Sequence, residues 1–189
     1  MPNTDKPIEN TVFEQSQPAD NEINIWFDSY EELFSDFDPR SYSKRTLSND
    51  FIDQIKKVAK DLDNKNLTLK LLMLESNRNS TDEKIIIERL HFFFRNNYEQ
   101  LFKERKKANI KGITLTIAGV LSMIVSSSIS FLKSDIYILH LLQILFDPAG
   151  WFLLWTGLDF LIYNNRKTKN ELDFYFKLTN AEIVFGAYK

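Results

Sequence analysis

The chain has 189 residues, 24 Lys+Arg against 26 Asp+Glu, no Cys and two His. That length fits one ordinary domain, or one small domain with an appendage, and the near-neutral charge carries no nucleic-acid footprint. The lack of Cys excludes disulfides, thiol catalysis and Cys-zinc sites, and His91 and His140 alone are too few for a multi-His metal centre.

Residues 1–20 show no apolar period and, with Asn21, are expected to form a disordered tail. Residues 1–38 carry ten acids against one base. From 22 to 28 (EINIWFD) the pattern alternates, with Ile23, Ile25 and Phe27 on one side, which predicts a strand. One helical turn is expected near 30–34. Ser48 is a plausible N-cap for a helix to about Leu62, with Phe51, Ile55, Val58 and Leu62 as its apolar stripe. Asn64–Asn66 marks a turn. Residues 67–75 (LTLKLLMLE) are apolar at nearly every position and read as a central strand buried on both faces. Ser80 and Glu83 form a capping-box pattern. The helix after them puts Ile87, Leu90, Phe94, Tyr98 and Leu101 on one face, and nothing stops it before the next segment. Gly112 is a candidate hinge, but a lone Gly costs only about 1 kcal/mol in a helix, so one long helix is expected from the cytoplasm into the bilayer.

Residues 103–111 (KERKKANIK) hold five bases and one acid, and residues 113–132 hold no charge. Twenty uncharged residues match the ~30 Å hydrocarbon layer of a bilayer. A second apolar stretch, 136–163, is broken only by Asp147 and Asp159. Its full helical length, ~42 Å, is too long for a simple crossing. Asp147 is a good N-cap and Pro148 suits a first helical position, so two pieces are expected, 136–146 and 148–164. A single Pro-kinked helix is the alternative. Lys103, Arg105, Lys106, Lys107 and Lys111 precede the first span, and Arg166, Lys167 and Lys169 follow the second. The positive-inside rule then puts both termini in the cytoplasm and the Lys133–Asp135 turn outside. The first twenty residues are polar and acidic, so no secretory signal is expected and the first span acts as its own insertion signal. A pair of buried helices in a soluble protein is the competing reading.

Thr114, Ala118, Ser122, Ser126 and Ser130 form a stripe of small residues four apart. Such a stripe lets helices approach closely, either within the hairpin or between copies. Tyr137, His140, Gln143 and Asp147 share one side of the next segment. They read as a polar face at the headgroup level or as intramembrane polar groups with a function. Trp151 and Trp155 read as an interfacial belt, and Asp159 as an inner-interface residue or an oligomer contact. Residues 171–178 suit helix or strand, and EIVFGAY (182–188) is a short strand that adds to the sheet.

In the polar part, FSDFDPRSYSKRTLS (34–48) is the most distinctive stretch. Asp36 and Asp38 with Arg40 and Arg45 suggest structural ion pairs in a turn, with a phosphate-bearing ligand or a divalent cation as alternatives. No Walker loop, GxSxG, HExxH or GxGxxG occurs, and His91 sits in a helical HFFF run with no catalytic partners. No metal site, cofactor or catalytic residue is assigned. The segments FSDFDPRSYSKRTLS and DPAGWFLLWTGLD resemble an uncharacterised family of prokaryotic integral membrane proteins with two helices. The likeness covers roughly 22–188. It implies a membrane location and a small cytoplasmic domain, and it supplies no catalytic residue.

The expected fold is a small cytoplasmic α/β (α+β) domain with a three-stranded sheet (22–105), a two-helix transmembrane hairpin (106–165, spans about 113–132 and 136–163) and a C-terminal segment (166–189) packing on the domain. The expected location is the inner (plasma) membrane. The expected role is that of a non-enzymatic, membrane-anchored interaction or scaffold protein. It would self-associate as a homo-oligomer in the lipid bilayer and bind an unknown cytoplasmic protein, not nucleic acid. Alternatives are a membrane-permeabilising effector triggered through the domain, and an enzyme acting on a phosphate ligand through Asp36, Asp38 and Arg40.

Overall fold

The computed structural model describes residues 21–59, 62, 67–131 and 136–188. Residues 1–20 of the expected N-terminal tail, the Asn64–Asn66 turn, the Lys133–Asp135 turn and the side chains of 164–167 lie outside the described residues, while Asn21 already joins the sheet by accepting the Thr68 N–H at 3.0 Å. Three strands, β1 (Glu22–Trp26), β2 (Thr68–Leu74) and β3 (Glu182–Tyr188), form one parallel sheet in the order β1-β2-β3. Between them run α1 (Asn49–Ala59), α2 (Ser80–Phe131) and α3 (Tyr137–Thr179). Helix α1 is the crossover between β1 and β2. The whole α2–α3 hairpin is the crossover between β2 and β3.

The apolar alternation of the strands places the core. Ile23 and Ile25 of β1, Leu69, Leu71 and Met73 of β2, and Ile183 of β3 are buried on one sheet face. Phe51, Ile52 and Ile55 of α1, Ile86, Leu90 and Phe94 of α2, and Tyr175 and Leu178 of α3 are buried in the same cluster. Helix α2 starts at the carboxyl ends of the strands and runs back along the sheet. It leaves at their amino ends, where Phe93 meets Tyr175 and Tyr98 meets Phe176. The long hairpin therefore projects from the amino edge of the sheet.

Three expectations are corrected. Strand β2 is central but not buried on both faces: Lys70 and Leu72 are half-buried and Leu74 is 38% exposed. No helix among the described residues covers that side, which also carries the exposed Trp26. The cap of α2 is Asn79, not Ser80. Asn79 Oδ1 accepts the Thr81 N–H at 3.0 Å, while the Glu83 carboxylate is turned to Arg78 and Tyr30. The expected single long helix is present, since α2 runs through Gly112 without a break.

The second apolar stretch is not two pieces: α3 is one helix with Pro148 inside it. Proline removes one N–H from the helical ladder. The turn before it is held to α2, with Ser122 Oγ donating to the Phe146 carbonyl at 3.0 Å and Ser126 Oγ to Asp147 Oδ1 at 2.5 Å. Residues 171–178, left open between helix and strand, belong to α3. The expected boundaries near 105 and 165 fall inside continuous helices.

Candidate functional site

The 34–48 loop is closed by an isolated bridge between Phe34 and Leu47. Asp38 Oδ1 and Oδ2 accept from Arg40 Nε and Nη2 at 2.8 and 2.7 Å, and Oδ2 also accepts the Thr46 N–H at 2.7 Å. The Arg40 guanidinium and the Thr46 amide hold the Asp38 carboxyl far below the usual carboxylate range. Arg45 is ion-paired with Glu31 and donates to the Ser35 carbonyl. Glu31 also accepts from the Tyr42 hydroxyl at 2.9 Å.

Asp36 is exposed and takes part in none of these contacts. The two carboxylates therefore do not converge, and among the described residues no group of three His, Asp or Glu side chains is placed to hold a metal ion. Arg40, Ser41, Tyr42, Ser43 and Arg45 line an open cleft of about 390 Å³, in which Glu31 and Asp82 interrupt the positive charge. Arg89, not singled out from the sequence, supports the loop from α2 by donating to the Arg45 carbonyl at 2.9 Å.

The second candidate region is the hairpin, whose two helices are each long and apolar enough to cross a membrane. Their contact is built on glycines. A Cβ on Gly119 would lie 2.6 Å from the Leu154 nitrogen, and one on Gly157 would lie 2.5 Å from the Thr116 nitrogen. Gly112 faces Leu161 and Gly157, and Gly150 faces Met123 and Gly119. Gly112 and Gly119 are seven apart, as are Gly150 and Gly157. That is the heptad spacing of a left-handed helix pair.

Of the expected small stripe, Ser122 and Ser126 are buried in this contact and Ala118 is half-buried beside it. Thr114 and Ser130 are exposed, and the Thr114 hydroxyl bonds to its own helix at the Ile110 carbonyl. The heptad glycines lie off the stripe of small residues four apart, so that spacing does not single them out. Their pairing also depends on a partner helix more than thirty residues away.

The polar residues of α3 divide. Asp147 is bonded to Ser126, Gln143 is half-buried, and His140 and Asp159 are exposed. Trp151 and Trp155 are 56% and 63% exposed on the outer side of α3. Below the apolar stretch, Lys103, Lys106, Lys107, Lys111 and Lys169 are exposed, and the Lys111 ammonium lies 4.5 Å from the Phe160 ring centroid. No protein-family model matches this chain, and no curated protein and no solved structure matches it.

Proposed function

We propose that the chain is a two-pass membrane protein that holds its α/β domain at the cytoplasmic face of the inner (plasma) membrane. It is a non-enzymatic interaction or scaffold module that self-associates through the hairpin and displays its domain to a cytoplasmic protein. One observation carries this reading. Strand β3, after the hairpin, pairs in register with β2, before it, Leu69 opposite Ile183 and Leu71 opposite Phe185. Both ends of the hairpin therefore belong to one folded domain, and a chain crossing a bilayer in this region crosses it twice. The lysine-rich collar at the base of the hairpin supports a cytoplasmic placement of that domain.

The test exploits the natural lack of cysteine. Single cysteines at Ser43, Ser134, Gln143 and Thr168 are probed in intact cells with an impermeant thiol reagent. Labelling at Ser134, alone or with Gln143, is the expected result. Labelling at Ser43 or Thr168 would overturn the topology.

The polar groups of α3 favour a second reading, a membrane-permeabilising effector. It requires ion leakage on expression, reduced by Gln143→Leu with Asp147→Leu. Undiminished leakage in that variant, or none in the parent, counts against it. The phosphate-ligand enzyme loses its main support because Asp38 is taken up by Arg40 and Thr46.

A further inference from the structure

We propose that a second copy of this chain docks on the stripe Asp147, Trp151, Trp155 and Asp159 of α3, making a parallel pair about an axis along the membrane normal. The inference rests on the two-pass reading and assigns its self-association to one surface.

The four residues recur at intervals of four and all are exposed, Asp147 at the edge of the α2 contact, where one of its oxygens meets Ser126, and the other three without a bond to α2. Their depth follows from the α2–α3 contacts. Gly150 lies against Gly119 and Met123, Gly157 against Gly112 and Thr116, and Asp147 against Ser126. The uncharged part of α2 from Gly112 to Phe131 is ~29 Å long. Trp151, next to Gly150, is therefore near the middle of that layer. Trp155 is only roughly 6–9 Å inside the lysine collar, and Asp147 is about 7 Å from the other end.

An interfacial belt accounts poorly for an indole at mid-depth, because tryptophan favours the interface, where its N–H meets water. Neither indole N–H is hydrogen-bonded among the described residues. Asp147 gives one oxygen to Ser126, and its other oxygen has no donor among the described residues. Hydrocarbon satisfies neither group.

A second copy does. Two copies with the same topology meet at equal depth, each offering the same patch. Helical side chains lean toward the helix N-terminus, so the Trp151 indole reaches back to the level of Asp147. Across the two-fold axis, the Trp151 N–H of one copy donates to the free Asp147 oxygen of the other, and reciprocally. Donor and acceptor lie on the same stripe, which makes the stripe self-complementary. The glycine face of each hairpin is already filled by its own partner helix, so this outer stripe remains for association.

The test is disulfide trapping in native membranes. Single cysteines replace Ile144 or Ile162, exposed one turn beyond either end of the stripe on the same side of α3, and Ile117 or Ile124 on the exposed face of α2. Mild oxidation should give a homodimer at Ile144→Cys or Ile162→Cys and none at the α2 positions. Resonance transfer between two differently labelled parent chains should fall roughly tenfold in Trp151→Ala/Trp155→Ala. It should persist in Phe152→Ala, whose side chain is exposed beside the stripe. An amide oxygen still accepts, so Asp147→Asn should retain pairing that Asp147→Leu loses.

Equal trapping on the α2 face, trapping to a different protein, or no trapping at Ile144 and Ile162 would each overturn the proposal. Alkaline carbonate extraction of the unmodified chain separates the two readings. A chain that pellets but does not pair refutes only the pairing, whereas a chain that is extracted refutes the membrane reading and the pairing together.

Discussion

Glu83 is 8% exposed, yet its carboxylate is satisfied by the Arg78 guanidinium at 2.8 and 3.1 Å and the Tyr30 hydroxyl at 3.1 Å. The Tyr30 oxygen in turn accepts the Asn79 N–H at 2.8 Å. This chain of bonds ties the turn after β1 to the first turn of α2. The bonds from Arg78, aided by Tyr30, hold the Glu83 carboxyl below its ordinary value. A carboxyl whose folded value is depressed stabilises the fold fully above its unfolded value near 4.5. That stabilisation is lost as pH falls through the lower folded value. Glu83→Gln keeps the shape and removes the charge. We expect it to cost about 1.5–3 kcal/mol in denaturant unfolding near pH 7 and to flatten the acid limb of stability against pH. An unchanged acid limb would refute the assignment.

The neighbouring loop shows where residue-level reading stops. Asp36 and Asp38 look equivalent in the sequence. Asp38 is the structural one because Thr46, eight residues on, folds back to supply its amide, and that return is a property of the closed loop.

Among the elements, those set by local pattern were legible: the alternation of Ile23, Ile25 and Phe27, the helical stripe at Phe51 and Ile55, and the short strand at 182–188. The boundaries that depend on a partner were not. Helix α3 continues through Pro148, and the turn before it is bonded to Ser122 and Ser126 of α2. The glycine seam likewise exists only once the two helices are side by side.

The seam makes a position-specific prediction. A side chain on Gly119 or Gly157 meets backbone atoms, which cannot yield as a side-chain end can. Gly119→Leu should therefore destabilise the hairpin by about 1–3 kcal/mol through overpacking. Thr114→Leu, on an exposed position five residues away, should be nearly neutral. The measure is cross-linking between cysteines at Ser126 and Asp147, which should fall with temperature earlier in Gly119→Leu than in Thr114→Leu. Equal loss in both would place the seam elsewhere.

For the whole molecule, the hairpin is an insertion in a β–α–β crossover, and the sheet cannot close until the chain returns from it. Up to the end of β2, the domain has a central strand with one edge unpaired. The last seven-residue strand then covers that edge, Thr68 opposite Glu182 and Leu74 opposite Tyr188. Ile183→Asp, at a position 6% exposed, should therefore unfold the domain even though it follows both apolar segments.

The same pairing turns topology into a distance measurement. Thr68 and Glu182 are register partners across adjacent strands, which lie about 4.8 Å apart. They are separated in sequence by the entire hairpin. Cysteines at these two positions should be joined by a short bis-maleimide in intact membranes. The yield should not change when the double variant is diluted with the Cys-free parent, because the link is within one chain. A single cut in the hairpin should then leave both fragments in one cross-linked species. If the two cysteines instead react with impermeant reagent from opposite sides of the membrane, the sheet has not formed across the hairpin. The two-crossing arrangement would then be wrong, whatever the charge of the flanking lysines.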